Sequence, residues 1–239
     1  MRKEISGEMT MTNNEECPVA EAKRRTREFA RSERARIPAR VREAKSRAIC
    51  EEIERIFGIA TGDRPSGPNA GMLGRCRPDS ECGRLRRGDA VALYAAFNDE
   101  VDLGLLTQRC YEAELRVAFP CMNPRSAPFP MCMREVPPRD WIDSSAPFLA
   151  DPLARLELDD ERLGGFPVVD PADLSAIVVP LVAFDEARLR LGYGGGNYDS
   201  FLPLAGPKCL IVGAAFQEQR VESVPSESHD LALPSIVFA

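Results

Sequence analysis

From residue 90 onward the chain consists of short apolar runs separated by stretches with helical spacing, and no other feature constrains its fold as much. The runs at 90–97, 116–119, 176–184 and 210–216 are rich in Ala, Val, Ile and Phe with few polar interruptions, as expected of strands buried on both faces. Weaker strand patterns lie at 131–135 and, as a terminal edge strand, at 235–238. Helical spacing falls at 101–113, with a shorter helix at 198–204. Pro120 is expected to stop the second strand, because it has no N–H to give to a ladder. Residues 136–175 carry many Pro and Asp residues and read as irregular, with a short helix at 153–158. Strands alternating with helices predict an α/β chain: a three-layer, Rossmann-like fold around a mostly parallel central sheet.

Ahead of this region lies an N-terminal helical pair. The first helix is expected over 20–36, and the second begins after Pro38. Val41, Ala44, Ala48, Ile49, Ile53, Ile56 and Phe57 fall on one face of the second helix, and Gly58 is its stop. Residues 1–19 read as a disordered leader. Residues 61–89 are rich in Gly, Pro, Arg and Asp without periodicity, and read as a loop insertion in a single domain spanning 20–239.

Composition narrows the function classes. A net charge of −6 argues against a general nucleic-acid partner. No stretch approaches the roughly 20 apolar residues of a membrane span, and no signal-peptide pattern opens the chain, so a cytoplasmic location is expected. The eight cysteines form no Cys-x-x-Cys pair and His229 is the only histidine, which points to free, mostly buried thiols rather than a zinc site. Lys and Arg crowd 23–47. That run is either a local anion site or a solvated helix face, and composition favours the latter.

The stretch 184–202, FDEARLRLGYGGGNYDSFL, carries the chemistry. Gly192, Gly194, Gly195 and Gly196 leave backbone N–H groups open to phosphate oxygens, and a helix start lies behind them. Arg188 and Arg190 add positive charge, and Asp199 adds a hard carboxylate of the kind that holds Mg²⁺ beside phosphates. The spacing matches neither a Walker loop nor the dinucleotide fingerprint. On spacing alone, a tight strand-to-helix connection explains the glycines equally well.

Pro180, Ala183, Phe184, Asp185, Arg190, Leu191, Gly192, Tyr193, Gly194, Gly195, Gly196, Tyr198, Asp199 and Leu202 form a pattern that resembles the signature of the 5-formyltetrahydrofolate cyclo-ligases. The resemblance continues through 94–103, 117–120 and 210–219, then through Val224, Pro225, Glu227, His229 and Asp230. Lys23 and Arg27 resemble the family's N-terminal basic pair. This resemblance implies a NagB/RpiA/CoA-transferase-like fold and an ATP- and Mg²⁺-dependent ligase acting on 5-formyltetrahydrofolate, polyglutamylated or not, as a cytoplasmic monomer without nucleic-acid or membrane partners. It implies that Lys23, Arg27, Arg190, Leu191, Gly192, Tyr193, Gly194, Gly195, Gly196, Asn197 and Tyr198 bind ATP. It places Ala95, Phe97, Glu100, Tyr193, the following three glycines and Asn197 on the folate, and Asp199 and Asp230 on the metal. Arg190 and Asp199 are the implied catalytic pair. The pattern breaks at Asn197, where the family usually has tyrosine, at Ser200, Ala187 and Leu181, and at Leu233-Pro234. A non-catalytic nucleotide- or folate-binding paralogue is the alternative.

Overall fold

A computed structural model describes residues 18–59, 84–227 and 230–239. Most of the expected leader and insertion, together with His229, lies outside the described residues. The elements are α1 (Pro18–Ala35), α2 (Ala39–Phe57), β1 (Ala90–Ala92), α3 (Gly104–Glu112), β2 (Arg116–Met122), β3 (Met131–Glu135), α4 (Pro138–Ile142), α5 (Pro147–Ala150), β4 (Val168–Val169), β5 (Leu174–Pro180), β6 (Ala183–Phe184), β7 (Arg190–Leu191), α6 (Asn197–Phe201), β8 (Leu210–Ala215) and β9 (Ser235–Phe238).

Among the described residues the main sheet has seven strands in the order β4-β3-β2-β1-β5-β8-β9. Strands β2, β1, β5, β8 and β9 run parallel, while β3 and β4 pair antiparallel at one edge. Alternate residues feed opposite cores, as the pleat requires. Val91, Val117, Phe119, Val178 and Val212 pack with Ile49, Ile53, Phe57, Leu106 and Phe148 under α2, α3 and α5. Ala92, Ala118, Ile177, Val179 and Ala215 face the other way, toward Phe184, Phe201 and Leu233. The expected helical pair is consecutive in the chain but divided in space: α2 lies on the sheet core, whereas Ala30 of α1 joins a small cluster with Ala183, Leu191 and Val224.

Three expectations are corrected. Pro120 does not stop β2. The carbonyl of Ala118 accepts from Leu93 N–H on the β1 side, so the N–H that Pro120 lacks also faces that side, where β1 has already ended. The apolar run 176–184 is not one strand. The Leu181 and Val182 carbonyls accept from Gln219 Nε2 at 2.6 and 3.0 Å instead of from a ladder, and the chain restarts as β6, paired with β7. No helix forms at 153–158, because Arg155 bridges Met122 and Leu156 N–H donates to the Met122 carbonyl, which keeps the segment extended. The short helices fall instead at α4 and α5, each opened by a proline whose missing N–H costs nothing in a first turn.

Candidate active site

Strand order reverses between β1 and β5, and the crevice above such a reversal is where α/β sheets place ligands. A cavity of about 400 Å³ lies there. Tyr94, Ala95, Phe97 and Glu100 enter it after β1, Pro120 and Met122 from the end of β2, and Pro180 from the end of β5. Arg190 and Leu191 of β7, the loop 192–196, the start of α6, Lys23 and Arg27 of α1, Pro152, Leu153 and Asp230 complete its lining.

The loop is held from behind. Asp185 is buried; its Oδ1 accepts from Leu189 N–H and its Oδ2 from Val224 N–H, which closes the β6–β7 ribbon that launches the loop. Gly194 (φ 98°) and Gly196 (φ 66°) adopt left-handed conformations that favour glycine. A Cβ on Gly194 would stand 3.6 Å from the Arg27 guanidinium, an ordinary contact, so the left-handed backbone rather than lack of space calls for glycine there. Helix α6 is only five residues long. The groups available to an anion are therefore the loop N–H groups and nearby cations rather than a helix dipole.

Charged side chains converge on this loop. Arg27 Nε donates to the Gly192 carbonyl at 2.8 Å. Lys23 Nζ reaches Asp230 Oδ2 at 2.7 Å and Glu227 Oε2 at 2.8 Å. Burial pulls the Lys23 pKa down, but these carboxylates outweigh it and hold the ammonium above its ordinary value. Arg190 Nη2 donates to Asp199 Oδ1 at 2.7 Å and Nη1 to the Leu231 carbonyl at 3.0 Å, so one guanidinium ties α6 to the C-terminal segment.

Glu100 is the buried acid of the cavity. Burial raises its pKa; Phe97 N–H, donating at 2.9 Å, and the Tyr193 hydroxyl oppose the rise. Tyr193 is itself pushed up to about 12 by burial and by the neighbouring Glu100 charge. Arg34, buried on α1, donates to the Tyr193 hydroxyl at 3.0 Å and to Asp99 at 2.7 Å. Two buried polar atoms of the lining, Asn197 Oδ1 and the Tyr198 hydroxyl oxygen, have no protein partner. Unsatisfied polar atoms buried beside a cavity are ones that a bound molecule can satisfy.

A sequence model of the 5-formyltetrahydrofolate cyclo-ligase family matches residues 80–239. The chain belongs to this family. Its curated relatives include the 5-formyltetrahydrofolate cyclo-ligase of Escherichia coli K12, 32% identical over 148 residues that cover 62% of this chain and 76% of the relative. That of Haemophilus influenzae is 31% identical over 153 residues, covering 64% and 76%. The fold resembles a solved 5,10-methenyltetrahydrofolate synthetase from Mycoplasma pneumoniae, with a TM-score of 0.60 and 14% identity over 90% of this chain and 97% of that one.

All the residues that the cyclo-ligase pattern picks out for ATP, folate or metal line this one cavity, from Lys23 and Arg27 through Ala95, Phe97, Glu100 and 190–199 to Asp230. Arg188 does not join them. It stands at φ 64° and its Nε donates to the Leu233 carbonyl, fastening the C-terminal segment instead. Sequence reasoning missed Arg34, although the series 23, 27, 30, 34 on one helix face carries the signal. Tyr94, Met122 and Leu153 were missed too, because nothing local marks a residue that only chain crossing brings to a pocket. Among the described residues no cluster of three or more metal-binding side chains exists. Asp199 and Asp230 are hard oxygen donors on one cavity, a set that suits a cation keeping most of its shell as water and substrate phosphate, as Mg²⁺ does.

Proposed function

We propose that this cyclo-ligase family member converts 5-formyltetrahydrofolate to 5,10-methenyltetrahydrofolate at the cavity above β1 and β5, with ATP consumed to ADP and phosphate. The observation that carries the reading is the meeting, in one crevice, of a glycine loop, three cations and the buried acid Glu100. Lys23, Arg27 and Arg190 neutralise the ATP phosphates, and the N–H groups of 192–196 cradle them. Asp199 and Asp230 would hold Mg²⁺, which supplies charge stabilisation on the phosphates when bound. Glu100 accepts hydrogen bonds from the pterin, and Asn197 and Tyr198 offer it their unsatisfied atoms.

The formyl oxygen bonds to the γ-phosphorus as the bond to the ADP oxygen breaks. N10 then bonds to the formyl carbon, the carbon–oxygen bond breaks, and phosphate leaves with that oxygen while N10 releases its proton. No protein nucleophile is needed; the chain aligns the reactants and balances charge. A cytoplasmic monomer is the form in which we expect this to happen.

The test is methenyltetrahydrofolate absorbance and ADP release with ATP, Mg²⁺ and 5-formyltetrahydrofolate. Asp199→Ala should lower turnover by about 10²–10³-fold. Equal inactivity of wild type and variant defeats the reading. Binding of both substrates without absorbance would identify the non-catalytic alternative, with Asn197 as its cause.

A further inference from the structure

Two thiols meet across the β2–β3 ladder, where Cys121 stands directly opposite Cys132. Asn123 N–H donates to the Pro130 carbonyl at 3.0 Å and Val136 N–H to the Val117 carbonyl at 2.9 Å, so the alternation of the ladder makes 121/132 a hydrogen-bonded pair too. The Cα atoms of such a pair stand about 5.5 Å apart, inside the roughly 4.4–6.8 Å that a disulfide spans. Both side chains lie on the α2, α3 and α5 side of the sheet, Cys121 buried and Cys132 partly exposed. The thiols are within hydrogen-bond reach of each other and of the Arg134 guanidinium, two residues along β3. Arg134 is buried, with Nη1 donating to the Phe166 carbonyl at 2.8 Å and Nε without a partner. No carboxylate pairs with it among the described residues; the adjacent Glu135 is taken by Arg116. Cys132 is held below its ordinary pKa, first by the hydrogen bond from the Cys121 thiol and then by Arg134, against the opposing effect of burial. Burial pushes the thiols of Cys50, Cys110 and Cys209 up to about 12. A partly exposed thiol beside a cation, with a second thiol poised against it, has the surroundings of a redox-sensing cysteine.

We propose that Cys121 and Cys132 form a dithiol that hydrogen peroxide oxidises to a cross-strand disulfide, which lowers turnover at the adjoining active site until a thiol reductant reopens it. The Cys132 thiolate attacks one peroxide oxygen. A sulfur–oxygen bond forms, the oxygen–oxygen bond breaks, and hydroxide leaves and takes up the proton that Cys132 shed. The Cys121 sulfur then bonds to the Cys132 sulfur, the sulfur–oxygen bond breaks, and a second water leaves with the Cys121 proton. Two electrons pass from the thiols to the peroxide. The path to the site is short. Cys121 lies between Pro120 and Met122, which both line the cavity, and Met122 Sδ accepts from Asn197 Nδ2 at 3.3 Å. Opposed Cβ atoms of a ladder are about 4.5–5.5 Å apart and those of a disulfide about 3.5–4.5 Å, so oxidation shifts this wall by about 1 Å. A displacement of that size costs a positioned reaction a large factor in rate. The effect on turnover rests on the ligase reading above; the chemistry of the thiols does not.

Trypsin separates the two cysteines into peptides 117–125 and 126–134, because it cleaves after Arg116, Arg125 and Arg134. The reduced full chain treated with hydrogen peroxide should yield these two peptides linked, lighter by two hydrogens than their sum, and dithiothreitol should separate them. Cys121→Ala should carry a dimedone adduct on Cys132, since its sulfenic acid has no second thiol to condense with. Wild-type turnover should fall at least about tenfold with peroxide and return with dithiothreitol. Cys132→Ala should match reduced wild type before and after treatment. Peroxide that oxidises other cysteines while the two peptides stay unlinked overturns the dithiol and leaves the ligase reading standing. A linked pair with unchanged turnover, or an equal loss in Cys132→Ala, overturns the control of the site. If reduced wild type shows no turnover, the ligase reading falls, and the linked peptides still decide the dithiol by themselves.

Discussion

Glu100 shows how much a single side chain can be asked to do. It is 8% exposed, accepts from the Phe97 N–H on one oxygen and lines two adjoining cavities, of about 400 and 620 Å³. Because burial raises its pKa, the folded chain holds the proton more tightly than the unfolded chain. Its contribution to stability is therefore full below the ordinary carboxylate range and is lost as pH rises through the folded pKa. Glu100→Gln abolishes that slope and retains an acceptor for Phe97. The expected result is a melting temperature equal to or above wild type at about pH 8, with a folate KM raised at least about tenfold. Thermal melts across pH and steady-state kinetics check this together; a lower melting temperature at that pH with an unchanged KM contradicts it. The acid was legible only through the resemblance to the cyclo-ligase pattern, since its place alone fits a helix cap equally well, and its partners were not legible at all. Arg34 and Tyr193 are 159 residues apart in sequence and only the docking of α1 joins them.

At the scale of elements, the strand runs were read well where burial on both faces left no polar residue to confuse them, as in β5 and β8. They were misread where a side chain from elsewhere took over the backbone, as Gln219 does after β5. Packing is tightest at Gly213 in β8. A Cβ built there would stand 2.8 Å from Leu233 Cδ1, 2.9 Å from Leu181 Cδ2 and 3.1 Å from Ile236 Cγ1. Leu181 lies where the chain departs from the family pattern, and its side chain helps fill the space over Gly213. Gly213→Val should cost about 1–3 kcal/mol by overpacking, and each kcal/mol lowers the melting temperature by roughly 2–4 °C in a chain of this size. An additional Leu233→Ala change should recover part of the loss. A double variant no more stable than Gly213→Val would show that these side chains do not set the strain.

The whole molecule is held together unevenly. Six residues of α2 are buried, five of them apolar or thiol side chains in the main core. On α1 only Ala30 and Arg34 are buried, and the helix is fastened largely by Lys23, Arg27 and Arg34 to groups of the active site. A helix with little apolar burial opens at lower free energy than one in the core. Backbone amides of residues 22–29 should therefore exchange hydrogen faster than those of residues 49–56. On the proposed function, ATP–Mg²⁺ should slow the α1 amides selectively, because phosphates bound at Lys23 and Arg27 would stabilise the docked state by mass action. Equal protection of the two helices, or no response to the nucleotide, would show that α1 is not coupled to the site.

The sequence by itself determined the layer architecture, the glycine loop and most of the residues that line the crevice. Short apolar runs and fixed spacings are local properties, and a family pattern is read along the chain. Tertiary structure alone decided that 176–184 breaks in two, that Arg188 turns to the C-terminal segment, and that Arg34 reaches Tyr193. It alone revealed a second cavity beside the first. Each of these depends on which distant group reaches a backbone carbonyl or a buried hydroxyl first, and such competition is settled only when the chain has folded on itself.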